Sequence, residues 1–85
     1  MLLEIVTPDE KVFEGEVQSA SFPGSDGSFQ ILNNHAPLIS TLGSGLIKLE
    51  KNVDKKVEEI SMTVEGGIVE VLNNKVTVLA EKITE

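Results

Sequence analysis

His35 is the one imidazole in a chain of 85 residues that holds no cysteine, tryptophan or tyrosine. Nucleophilic or general-base catalysis would have to run through it. The nearest hydroxyls in sequence are Ser40 and Ser44, and neither stands in a nucleophile-elbow context. Leu42-Gly43-Ser44-Gly45-Leu46 has the glycines of a phosphate loop but not its GxxxxGK[ST] spacing, and no helical pattern follows it. It reads as a flexible turn. Metal binding would draw on the acids, of which Asp9-Glu10 and Glu58-Glu59 are adjacent pairs. Neighbouring side chains on a strand point to opposite faces, and in turns such acids are solvated, so neither pair converges on an ion. No spacing singles out a glycosidase-like carboxylate pair. The residues therefore call for no catalytic group, metal or cofactor. In Asn33-Asn34-His35-Ala36-Pro37, the imidazole reads first as a loop-shaping group that hydrogen-bonds the backbone. A polar contact with a partner comes second, and catalysis a distant third.

Composition narrows the partners. Fourteen acids against seven Lys plus Arg give a net charge of −7. So few cations cannot form the basic stripe that nucleic acid requires. The same acidity disfavours adsorption on anionic lipid. No apolar run approaches the roughly 20 residues of a membrane-spanning helix, and Met1–Pro8 lacks the basic segment of a signal peptide. With 40% apolar residues and only three Phe as aromatics, the core must be Val, Ile and Leu. One domain is expected over residues 1–85.

The elements that carry these residues alternate with a period of two. Phe29 and Ile31 oppose Ser28 and Gln30; Ile47 and Leu49 oppose Lys48 and Glu50; Ile60, Met62 and Val64 oppose Ser61 and Thr63. Each is a strand with one buried face. Two β-rich runs flank Asn73-Asn74, and Asn tolerates positive φ, so a two-residue hairpin is expected there. Closing it pairs Leu72 with Lys75, Val71 with Val76, Glu70 with Thr77 and Val69 with Val78. Four valines then share one face, and a slip of one residue would scramble them. Further turns are expected at Thr7–Glu10, Pro23–Gly27, Asn33-Asn34, Gly43–Gly45, Asn52–Lys56 and Gly66-Gly67. A spacing of about 8–15 residues is the rhythm of an all-β sandwich or barrel. Val53–Ile60 is the only weak helical candidate, and its β-branched residues favour an extended reading.

Three stretches carry a resemblance. GSFQILNNHAPLIS resembles the pattern G-x-[LF]-G-I-L-P-N-H-A-P-L-[LI], TPDEKVFEGEV resembles P-x-x-x-V-F-x-G-x-V, and VEGGIVEVLNNKVTVLAE resembles G-G-[FI]-x-E-V-x-x-N-x-V-T-V-L-A. In order and spacing they resemble the N-terminal domain of the ATP synthase epsilon subunit, over essentially the whole chain. Gln30 stands where the pattern has Gly, and Asn33 where it has Pro, so position 30 is not held in a glycine-only conformation.

The resemblance implies a flattened β-sandwich of about ten short strands in two sheets. It implies a non-catalytic rotor part, bound to the gamma subunit along one side and to the polar loops of the membrane c-ring at its base. The implied ring-side residues are Asp26, Gly27, Ser28 and Gln30. On the gamma side, His35, Pro37, Leu38, Ile39 and Leu42 are the candidates, because PLISTL is apolar without clean alternation. The alternative is that these apolar residues fill the core. The implied location is the cytoplasmic side of a bacterial inner membrane, held through gamma and the ring, with a monomer when isolated. Family members usually continue into two α-helices that restrain ATP hydrolysis and in some members bind ATP. If Glu85 is the native end, no helix-based inhibition and no ATP site are expected. Two rival readings are a carbohydrate-binding sandwich, weakened by the lack of Trp and Tyr, and a small hydrolase using His35 or a carboxylate pair.

Overall fold

The computed structural model describes residues 1–84. It contains eight strands: β1 Leu2–Val6, β2 Lys11–Glu16, β3 Ser19–Gly24, β4 Gly27–Leu32, β5 Leu38–Val53, β6 Lys56–Leu72, β7 Lys75–Ala80 and β8 Ile83–Thr84. No helix occurs among the described residues. The strands form one hydrogen-bonded sheet in the order β2-β1-β7-β6-β5-β3-β4, with β8 added to β6. All pairs are antiparallel except β1 with β7.

The count differs from about ten short strands because β5 and β6 are long, at 16 and 17 residues. The glycine clusters expected to reverse the chain lie inside these two strands instead. The pairs Leu42↔Gly67 and Ser44↔Glu65 bracket Gly43 and Gly66, so the two glycines sit side by side at a corner. There the inward-facing positions change parity in both strands: Leu42 then Ile47 and Leu49 in β5, Met62 and Val64 then Val69 and Val71 in β6. Gly66 (φ 75°) and Gly67 (φ 147°) supply backbone angles that side-chain-bearing residues resist. The sheet folds over at this corner and closes on itself as a sandwich-like body of 33 × 27 × 21 Å.

One apolar cluster fills the inside. Leu3, Ile5, Val69, Val71, Val76 and Val78 come from one half of the sheet, and Ala20, Phe22, Ile31, Ile47, Leu49 and Val64 from the other; all are at most 2% exposed. Phe22 and Phe29 pack with ring centroids 5.7 Å apart. The alternation read in β4, β5 and β6 holds: Phe29, Ile31, Ile47, Leu49, Met62 and Val64 face inward.

The turns match their residue types. Asn73 (φ 51°) and Asn74 (φ 60°) form the expected hairpin, with the predicted pairs from Leu72↔Lys75 to Val69↔Val78. Two successive positive φ values make it a type I′ turn. Asp54 (φ 51°) and Lys55 (φ 67°) repeat that geometry between β5 and β6, so Val53–Ile60 is a hairpin turn leading into the extended β6 and not a helix.

Candidate partner interface

His35 lies exposed in the β4–β5 loop. Its backbone N–H donates to the Leu32 carbonyl at 3.2 Å. Its Nδ1–H donates to the Ala36 carbonyl at 2.7 Å. The imidazole is therefore engaged in shaping its own loop. Ser40 Oγ donates to the Thr41 carbonyl at 3.2 Å and Ser44 is exposed on β5, so neither hydroxyl is paired with His35. Glu58 and Glu59 are exposed neighbours on β6, and Asp9 and Glu10 sit in a turn braced by Thr7 Oγ1. No group of three metal-ligating side chains occurs among the described residues. Among those same residues, no buried side-chain nitrogen or oxygen lacks a hydrogen-bond partner. What remains is surface.

The outer face of the β1–β7–β6 half carries the informative surface. Cross-strand pairing sets Thr41, Ile68, Leu79 and Val6 in one row. The next row runs Ile39, Glu70, Thr77 and Glu4, and a third runs Leu72, Lys75 and Leu2. Ile39 is 72% exposed, Leu79 55%, Leu72 50% and Ile68 45%. Ile39 lies diagonal to Ile68, and Ile68 directly faces Leu79, so the three form a contiguous apolar strip. Leu79 continues into an open groove lined by Val6, Thr7, Pro8, Ala80 and Glu81. A run of large apolar side chains on an outer face is a candidate docking surface.

Charge frames the strip. Lys11 of β2 bridges Glu4 and Glu14, at 3.2 Å to each. The hydrogen bond to Glu4, followed by that to Glu14, raises the Lys11 pKa above its ordinary value. Glu70 and Lys75 stand within the face itself.

The sequence-derived residues divide between this face and an edge. Asp26 lies in the β3–β4 turn, and Gly27, Ser28 and Gln30 lie on β4, all exposed. β4 ends the strand order, so its outer backbone edge is unpaired among the described residues. Gln30 is an ordinary extended residue opposite Ser21 and does not need glycine. His35 and Pro37 are exposed just beyond β4, Leu38 is half-buried against the core, and Ile39 projects fully outward. Leu42 differs from the expectation. It is 5% exposed and belongs to the core, because even-numbered positions of β5 before the corner point inward. PLISTL thus does alternate, with Ile39 and Thr41 outward.

Ile68, Leu72 and Leu79 escaped the sequence reading as surface residues. The signal was present: the hairpin register that puts Glu70 and Thr77 on one face puts Ile68 and Leu79 beside them one step further along.

The whole chain, residues 1–85, matches the family described as ATP synthase, Delta/Epsilon chain, beta-sandwich domain. A relative named ATP synthase epsilon chain in Chlorobium limicola is 46% identical over 82 residues, which cover 96% of this chain and 90% of that protein. This chain belongs to the ATP synthase epsilon chain family. An epsilon chain of Leptospira interrogans is 40% identical over 79 residues, 93% of this chain, and the chain spans 59% of that relative's length. In fold, the protein is similar to a chain of the Tetrahymena thermophila mitochondrial ATP synthase central stalk and c-ring structure. The TM-score is 0.82 at 18% identity, covering 99% of this chain and 65% of that one.

Proposed function

We propose that this chain is a non-catalytic part of the central stalk of a proton-translocating F-type ATP synthase, joining the gamma subunit to the c-ring. The observation that carries the reading is the family match over the entire chain. Gamma binds the outer face that bears Ile39, Ile68 and Leu79, with Pro37 and His35 at its margin. Leu38 backs this margin from the core side. The ring binds the polar β4 edge with Gly27, Ser28 and Gln30, and Asp26 in the turn before it. The domain is held at the cytoplasmic surface of a bacterial inner membrane through those two partners, with no lipid contact of its own. It is a monomer when isolated.

The architecture suits a coupling element. A sheet folded on itself over a close-packed aliphatic core resists shear.

The experiment is capture from solubilised source membranes with the tagged chain. Co-purification of gamma and ring subunits is the expected result. Capture of neither, by a chain shown to be folded, would refute the reading. Ile39→Asp and Leu79→Asp should each weaken the capture of gamma, while Ser28→Asp should weaken that of the ring.

A further inference from the structure

Asn74 does more than turn a hairpin. Its backbone carbonyl accepts the Leu2 N–H at 3.2 Å, which ties in the start of β1. Its side-chain Oδ1 accepts the Asn34 N–H at 2.7 Å, forty residues away in sequence. Its Nδ2 donates to Asn33 Oδ1 at 2.9 Å. Asn33 Oδ1 also accepts from the Met1 amino group at 3.1 Å. One side chain on the β6–β7 turn therefore grips two successive residues of the β4–β5 loop.

The gripped loop is a tight turn. His35 N–H closes onto the Leu32 carbonyl, and Asn34 has φ 62° while Asn33 does not. A positive φ at the third residue alone is the type II pattern, in which proline at the second position presets φ. This chain has asparagine there, which presets nothing. The Asn33 N–H has no backbone partner in the loop hydrogen bonds, so a proline would cost none.

We propose that Asn74 is a positioning residue: its side chain clasps Asn33 and Asn34 and so holds the β4–β5 loop, with His35, in its docking conformation. The clasp supplies from outside the turn the rigidity that a proline would supply from within. It also joins the end of the edge strand β4 to the β6–β7 hairpin in the opposite half of the sheet. A push on the loop is thereby passed to both halves. The docking purpose rests on the function proposed above; the clasp itself does not.

The turn geometry makes a clean test possible. Asn74→Gly keeps the left-handed conformation and the carbonyl to Leu2, and deletes only the clasp. Asn73→Gly alters the same turn at a position with no clasp and serves as the control. Amide hydrogen exchange is read on the isolated chain. In Asn74→Gly the Asn34 amide should exchange about tenfold faster, since it loses its only acceptor, while the Val76 and Val78 amides stay unchanged. Asn33→Ala should loosen the loop less, because the Asn34 bond survives. Adding Asn33→Pro to Asn74→Gly should return His35 amide protection towards the parent value. An unchanged Asn34 rate in Asn74→Gly, or an equal acceleration in Asn73→Gly, would overturn the clasp. Docking is read as binding to source ATP synthase depleted of this subunit. Asn74→Gly should bind several-fold more weakly, with recovery in the Asn33→Pro double variant. Full binding despite a loosened loop would overturn the docking role. Failure of the parent chain to bind would instead refute the function proposed above, leaving the clasp to be decided by exchange alone.

Discussion

The corner of the folded sheet gives the sharpest stability prediction, at Gly67. Its φ of 147° lies in a region that side-chain-bearing residues rarely enter. A Cβ there would stand 2.5 Å from the Leu79 carbonyl oxygen and 2.9 Å from the Ala80 Cα. Both are backbone atoms of β7, and neither can swing aside. Gly67→Ala therefore incurs about 1–3 kcal/mol of conformational strain. It must also push β7 away from β6, weakening one or two ladder hydrogen bonds at about 1 kcal/mol each. The sum is about 2–5 kcal/mol, against a total stability of roughly 4–13 kcal/mol for a chain of this length. Two other glycines separate strain from clash. Gly27 has φ 129° with nothing within 4 Å of a built Cβ, so Gly27→Ala shows the strain alone. At Gly66 (φ 75°) the obstacle is the Glu81 carboxylate at 2.7 Å, a flexible side chain that can move. Gly66→Ala should cost about 1–2 kcal/mol, the usual left-handed cost. Urea unfolding of the three variants should place Gly67→Ala at least about 1 kcal/mol below the other two. A Gly67→Ala protein within about 1 kcal/mol of the parent, or no worse than Gly27→Ala, would refute this account of the corner.

Three further outcomes are expected. Leu42→Ala should cost about 2–5 kcal/mol as a cavity in the core, whereas Ile39→Ser should change stability by no more than about 0.5 kcal/mol; urea midpoints of equal ranking would contradict the placement of Leu42. Lys55→Gly should stabilise by about 0.5–1 kcal/mol, because the left-handed strain it removes exceeds the entropy that glycine adds to the unfolded chain; a lower melting temperature would count against the type I′ assignment. Lys11 has a raised pKa, so its bridge to Glu4 and Glu14 contributes fully below the ordinary lysine pKa and fades as pH rises through the elevated folded value. The stability gap between the parent and Lys11→Met should thus persist from neutral pH into the mildly alkaline range, close only in strong alkali, and shrink with salt at pH 7.

Much of this protein is written locally. Alternation with a period of two, asparagine pairs and the hairpin register need only neighbouring residues, because a strand's faces and a turn's dihedral angles are set within a few peptide units. That is why the inward sets of β4, β5 and β6, the Asn73-Asn74 hairpin and the family motifs were all legible in the chain itself. What the residues could not disclose is everything that depends on pairing at a distance. Gly43 and Gly66-Gly67 look like chain reversals until the two long strands are laid side by side, when they become one corner shared by both. Leu42 and Ile39 are both apolar residues of one run, and only the direction of β5 across the sheet sends the first inward and the second out. Ile39 meets Ile68 and Leu79, and Asn34 meets Asn74, because the strand order brings distant segments together. Periodicity reports which face of its own strand a side chain occupies; the tertiary fold chooses its neighbours, since those contacts arise from closing loops of many residues over a common core.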